Sequence, residues 1–280
     1  MTKKLLFLLV FSSVLALAQE DLLKDIDTAT TNTEVSQPAF KALQIVTGQS
    51  TKLSAKKEWY IVVAHRFGDI STGFKNFFGL DNASTKLGVI YGITDAVSVS
   101  LSRETHMKTF EGAVKYRLAK QNENFPVDIV GYHVIGLNTA LNKDTYPYLK
   151  FNDRFSYLTQ ALVSRRFSDR FSLQFTPSFV HRNLYEPAIE DKNQFLAGIG
   201  GRYKISKRIS VNAEYFVNFD NHSFYKNPLS LGLDIETGGH VFQLLFTNSQ
   251  INSDIGYLTN ASGNWGKGQI FFGFNLYRVF

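Results

Sequence analysis

From Trp59 onward, runs of about ten residues alternate apolar and polar side chains and then break at a turn. Val97, Val99 and Leu101 alternate with Ser98, Ser100 and Ser102. Phe171, Leu173, Phe175 and Phe179 stand against Ser172, Gln174, Thr176 and Ser178. The same pattern recurs along 208–220 and 228–236. A strand sends successive side chains to opposite faces, so each run is a ribbon with one apolar and one polar face. The apolar faces often carry large aromatics, while the opposite faces carry Ser, Gly, Asn and scattered charges. A soluble sandwich also has two unlike faces, but this combination suits lipid outside and a polar lumen inside.

The first eighteen residues are expected to be removed. Lys3 and Lys4 form a basic start, Leu5 to Leu17 an apolar core, and Ala16-Leu17-Ala18 a small-x-small cleavage site. Beyond residue 18 no apolar run is long enough for a spanning helix, so membrane insertion has to be by strands. About 260 residues remain, within reach of one barrel. The chain has no cysteine, which excludes disulfides and thiolate metal sites. The formal charge of +6 falls to +4 once Lys3 and Lys4 leave, and no basic run supports nucleic acid as a partner. With 25 Phe and 13 Tyr, the chain can furnish aromatic girdles at both membrane interfaces.

The expected organisation is a signal peptide at 1–18, a polar N-terminal segment at 19–57 and an antiparallel transmembrane β-barrel at 58–280. Within the N-terminal segment, 39–47 reads as a short strand or a plug. Strands are expected near 58–66, 83–93, 96–104, 108–118, 126–138, 154–167, 170–182, 193–204, 208–219, 228–236, 239–248 and 268–280. That makes about twelve strands, with ten to fourteen compatible with the pattern. Short links alternate with long ones, as expected for short periplasmic turns and long extracellular loops; 105–107 breaks the trend.

The last strand sets Ile270, Phe272, Phe274, Leu276 and Phe280 on one face and ends on an aromatic carboxy-terminus. Phe272, Phe274, Leu276 and Phe280 are therefore the candidate assembly signal. Four motifs occur in order: His65-Arg66-Phe67-Gly68-Asp69, Phe78-Gly79-Leu80-Asp81, Tyr91-Gly92-Ile93-Thr94-Asp95 and the ending from Phe272 to Phe280. Together they resemble an uncharacterised outer-membrane β-barrel family of Bacteroidota, a domain of unknown function, from about residue 39 to the end. The resemblance implies a barrel in the outer membrane and no established substrate.

Catalytic constellations are thin. A lipid-acting barrel enzyme needs a Ser activated by a His. The His-x-Ser signature of the outer-membrane phospholipases is absent, and His222-Ser223 is adjacent rather than spaced. His133 and His181 are expected near strand ends at lipid headgroups. His65, Asp69, Asp81 and His106 lack metal-ligand spacing. Ser71 to Phe78 is expected to form a helical turn capped by Ser71, either folding into the lumen or packing across the mouth. Gly198, Gly200 and Gly201 mark close packing or a bend rather than space for a ligand.

Charges are more informative. A Lys or Arg facing lipid near the midplane costs roughly 2–4 kcal/mol, so strand charges should point inward. The expected lumen-lining set is Glu111, Lys115, Arg117, Arg202, Lys204, Glu214 and Asp234, together with Glu236, with Arg202 and Glu214 in diagonal reach of each other. Mixed signs can line a weakly selective pore or pair across a filled interior.

The chain therefore reads as a pore or small-solute transporter. The alternative is a closed barrel that is structural or scaffolds a partner, and a lipid-acting enzyme comes third. No catalytic residue, metal or cofactor is expected. The expected partners are outer-membrane lipid, the barrel-assembly machinery and a periplasmic protein reached through the N-terminal segment. The mature protein should fractionate with outer membranes and shift on a gel when heated. Replacing Phe280 with Asp should block assembly and leave the chain in the periplasm; normal insertion of that variant would show that the signal lies elsewhere.

Overall fold

In the computed structural model, described for residues 38–220, 224–237 and 240–280, twelve antiparallel strands close into one barrel. The signal peptide and residues 19–37 lie outside the described residues, as do His222 and Ser223. The strands are β1 (Trp59–Asp69), β2 (Ala83–Thr94), β3 (Val97–Glu104), β4 (Thr109–Ala119), β5 (Asp128–Asn138) and β6 (Phe155–Arg166). They continue with β7 (Phe171–Arg182), β8 (Asn193–Lys204), β9 (Ile209–Asn218), β10 (Leu229–Thr237), β11 (His240–Thr247) and β12 (Phe271–Val279). Their bounds fall within three residues of those expected from alternation.

Every strand pairs with its neighbours in sequence, and β1 closes the ring on β12 from Tyr60 opposite Val279 to Arg66 opposite Gly273. Closure leaves no open edge, which is what lets a sheet stand in hydrocarbon. The two ends of the barrel chain meet at the short-turn end, where Trp59 and Phe280 exchange backbone hydrogen bonds of 3.2 and 2.9 Å. The long links 70–82, 139–154, 183–192 and 248–270 lie at the opposite end.

Alternation shows directly in burial. On β9, Ser210, Asn212, Glu214 and Phe216 are buried, whereas Ile209, Val211, Ala213 and Tyr215 are exposed. The outer wall carries exposed Leu87, Val89, Leu101, Phe175, Phe195 and Ile199. On an isolated chain such a surface would be an aggregation hazard; around a barrel it is the lipid face.

The interior is filled rather than open. Residues 38–57 enter the barrel from the short-turn end, turn back at 45–48 and leave toward Trp59, forming a hairpin-like plug. Ile45 N–H donates to Gly48 O at 2.8 Å across its tip, and Gln44 and Gln49 form an isolated bridge. From the other end, the link between β11 and β12 folds inward and carries a short helix, α1 (Asp254–Thr259), with Ile255, Tyr257 and Leu258 buried. One sector of the wall is built to receive them. Val130 and Val134 of β5, Leu158 and Leu162 of β6, Val180 of β7, Leu196 of β8 and Phe216 of β9 form an apolar cluster with Leu53, Ile255 and Leu258.

The glycines of β8 serve this packing. A Cβ on Gly198 would lie 2.2 Å from the Phe216 ring, and one on Gly200 would lie 2.6 Å from Ile45 Cδ1. Gly198→Val should therefore overpack the interior and lower stability by about 1–3 kcal/mol. The check is the temperature at which the folded band is lost on a heat-shift gel, with Gly112→Val, at a position where a Cβ meets open space, as the neutral comparison.

Candidate functional site: the two-sided plug

The seven charges expected to line the lumen all occupy inward positions of their strands. Glu111, Lys115, Arg202, Glu214 and Asp234 are buried, and Arg117 and Lys204 are partly so. They do not line free space; most of them hold the two inserted segments.

Glu214 takes the tip of the hairpin that enters from the short-turn end. Its carboxylate accepts from the backbone amides of Thr47 at 2.7 Å, Gly48 at 2.9 Å and Val46 at 3.3 Å. Tyr257 of α1 donates its hydroxyl to the same carboxylate at 2.8 Å, so one side chain grips both segments. Burial, and next the charge of Glu214, push the Tyr257 hydroxyl well above its ordinary range, which keeps it a donor.

Lys115 holds the hairpin from the opposite charge. Its ammonium donates to Gln49 Oε1 at 2.9 Å and to the carbonyls of Ser50, Leu43 and Lys52 at 3.1, 3.3 and 3.4 Å. Arg117 adds a bond to Thr51 O at 3.4 Å. From β11 and β12, Gln243 donates to Ile45 O at 3.1 Å and Asn275 to Val46 O at 2.8 Å, with Tyr277 on Gln44. Arg66, itself buried, donates to Asn275 Oδ1 at 2.9 Å and Thr47 Oγ1 at 3.3 Å. Asp234 orients Gln243 by accepting its amide at 2.7 Å.

The inward loop is held by a second set. Glu104 accepts from the amides of Asn252 and Ser253, and Glu111 accepts from Asp254 N at 2.8 Å. These bonds satisfy amides at the start of α1 that the helix leaves without partners. Lys86 pairs with Glu111 at 2.7 Å and with Asp254 at 3.4 Å. Asp254 also accepts from Tyr132 and, at 3.3 Å, from Gln49 of the hairpin. The two segments thus meet in the barrel through Asp254 and Glu214.

Three expectations need correcting. Arg202 and Glu214 do not pair: Arg202 donates to Ser210 Oγ at 2.9 Å and bridges Glu236 at 2.7 Å, while Glu214 is spent on the hairpin. Glu236 in turn reaches Lys41, at the entry of the hairpin, at 2.7 Å. Segment 70–79 is capped by Asp69, whose carboxylate accepts from Ser71 N at 2.8 Å, not by Ser71. Nor does it fill the lumen; its aromatic side chains are exposed, and the filling loop is 249–267. His133 bonds Tyr116 at 2.9 Å and Thr159 at 3.1 Å, and His181 bonds Asn193 at 2.6 Å.

Lys86, Glu104, Gln243, Asp254 and Asn275 carry the same weight and were missed from sequence. Lys86 was findable: a Lys in mid-strand between Ser84 and Gly88 has to face inward.

Little space is left. A gap of about 50 Å³ lies beside the small inward side chains Gly88, Ser98, Ser100 and Ser102, and a wider cavity of about 450 Å³ opens at the long-loop mouth around Tyr146, Arg182 and Ile255. The first has room for little more than a water or two. Glu214→Ala would leave three amides without an acceptor, at about 1–3 kcal/mol for each that stays buried, while the Tyr257 hydroxyl keeps Ser230 Oγ at 2.9 Å. Hydrogen exchange at 45–49 should accelerate markedly in that variant while the barrel strands stay protected; unchanged exchange at the tip would show that Glu214 does not hold it.

A search of curated proteins returns no match. Among solved structures, the NanC porin superposes with a TM-score of 0.51 at 10% identity, covering 79% of this chain and 98% of its own. The KdgM porin gives 0.51 at 9% identity, covering 79% and 99%. Likeness at that identity speaks to fold, and the fold is the one built above. Residues 40–280 match the family described as a membrane-bound beta barrel domain, so the plug hairpin and the barrel together belong to that family, DUF5777.

Proposed function

We propose that this protein is an outer-membrane channel for small solutes, closed in the present state by the hairpin 38–57 and the inward loop 249–267. The observation that carries the proposal is the chemistry of the wall. Beneath the two segments the inward faces present Ser98, Ser164, Gln174, Thr176, Asn212, Ser230, Gln243 and Asn275. A wall of this kind is hydrated at little cost once its covering segments leave, as a channel lining must be. The hydrogen bonds that hold the segments can be replaced by water, so the cost of withdrawing them lies mainly in the apolar contacts of Leu53, Ile255 and Leu258.

The wall of β2 to β4, with Gly88, Ser98, Ser100, Ser102 and Ala113, is the natural route, since the residual gap already lies there. Two structural neighbours bear the name porin, in keeping with this function. The four ordered motifs support an origin in Bacteroidota. The protein is non-enzymatic on this reading. A periplasmic partner acts through the N-terminal segment, and the assembly machinery reads Phe272, Phe274, Leu276 and Phe280.

A closed scaffold is the second reading, favoured by how completely Glu214 and Lys115 are satisfied by the hairpin. Conductance in a planar bilayer separates the two. The full chain should show rare, small openings, and a variant lacking 39–54 should show large, steady steps. Lys115→Glu with Arg117→Glu should act in the same direction, because a carboxylate facing the hairpin's carbonyls repels what Lys115 holds. Silence from all three proteins, with lowered thermal stability in the charge-reversed one, would defeat the channel and leave the scaffold.

A further inference from the structure

The link between β1 and β2 presents an apolar surface that nothing among the described residues covers. Phe74 is 84% exposed, Phe77 58%, Phe78 43% and Leu80 42%. These side chains are not loose ends of a relaxed loop. Phe77 and Phe78 both sit in the left-handed region, with φ of 42° and 55°, where bulky residues are rare. Gly79, with φ of 86°, approaches Gly68 so closely that a Cβ would lie 2.3 Å from Gly68 O. Ile70 N–H donates to Ile270 O at 2.9 Å, and Asp69 caps the first turn. The segment is thus fastened at both ends to the rim of β1 and β12. Its strained middle displays aromatic rings outward, a geometry that persists only where something compensates it.

What lies next to it identifies the compensation. On the outer face of the same rim, Phe67 stacks on Phe272 at 5.7 Å, and Phe272 meets Phe246 at 5.4 Å. These rings form a lipid-facing aromatic belt at the long-loop end. The exposed Phe74 and Phe78, in edge contact with each other at 4.7 Å, lie on the segment that leaves β1 directly after Phe67 of this belt. Lys75 stands between them, exposed, where its long stem can lie among acyl chains while its ammonium reaches a headgroup phosphate.

We infer that segment 70–80 is a membrane-dipping loop, with Phe74, Phe77 and Phe78 immersed in the outer-leaflet lipid beside the β1–β12 seam. It rests on the membrane reading of the barrel and adds a lipid contact that strand alternation does not supply. By tying the long-loop rim of the closing strand pair to the bilayer, it would brace the β1–β12 seam at the end opposite Trp59 and Phe280.

Because the chain has no cysteine, single nitroxide labels can be placed cleanly. Labels at Phe74→Cys, at Phe175→Cys on the lipid face of β7 and at Tyr148→Cys, 93% exposed in the β5–β6 link, would be compared in phosphatidylcholine vesicles. Collisions with dissolved oxygen report lipid, and collisions with a water-soluble nickel chelate report solvent. Position 74 should favour oxygen, as position 175 does, while position 148 favours nickel. If 175 favours oxygen and 74 favours nickel, the loop lies in water and the inference falls while the barrel stands. Spin–spin broadening at 74 that fades on dilution with unlabelled chain would overturn it in favour of a second copy. If 175 itself favours nickel, the membrane reading fails and the loop proposal falls with it.

Discussion

Hydrocarbon offers no partner to a backbone amide or carbonyl, and the rest of this structure follows from that constraint. A sheet meets it only by closing on itself, so the pairing of β1 with β12 matters more than any single side chain. Once the ring is closed, the outer face must be apolar around the midplane and charges there must turn inward; Arg103, Arg165 and Arg278 face outward only near strand ends. That single sorting places Lys86, Glu104, Glu111, Lys115, Glu214 and Asp234 in one interior.

A twelve-strand ring encloses more volume than its own inward side chains fill. Here the remainder is occupied by two segments of the same chain. Their backbone polar groups need partners as urgently as those of the strands, and the inward charges supply them. Glu214 satisfies three amides at the hairpin tip, Lys115 binds its carbonyls, and Glu104 and Glu111 take up amides at the start of α1. The apolar sector from β5 to β9 gives α1 and Leu53 a place to dock, so the filling is oriented as well as solvated. Asp254 of the loop accepts from Gln49 of the hairpin, and Glu214 binds both segments, so the two segments share partners.

Strand positions, strand number and the inward direction of the charges were all legible in the sequence. They depend on period-two alternation, which is local, and on the cost of a charge in lipid, which is the same wherever the strand lies. Even β5, whose run from Asp128 to Asn138 is apolar on both faces, was recognisable as a strand. Why it is apolar inside was not, since the reason is α1 and Leu53 packed against it.

What only the tertiary structure decided is what fills the ring. The bond from Thr47 to Glu214 joins residues 167 apart, and that from Gln49 to Asp254 joins residues 205 apart. No local period encodes such a pairing. For the same reason, alternation and a short turn suggested that Arg202 and Glu214 would meet, whereas competition from a buried backbone drew Glu214 to the hairpin and left Arg202 to Glu236. Loop composition was equally indecisive. The aromatic segment 70–79 leaves its rings exposed and 249–267 turns inward, because the interior offers that loop both hydrogen-bonding charges and an apolar sector to dock on.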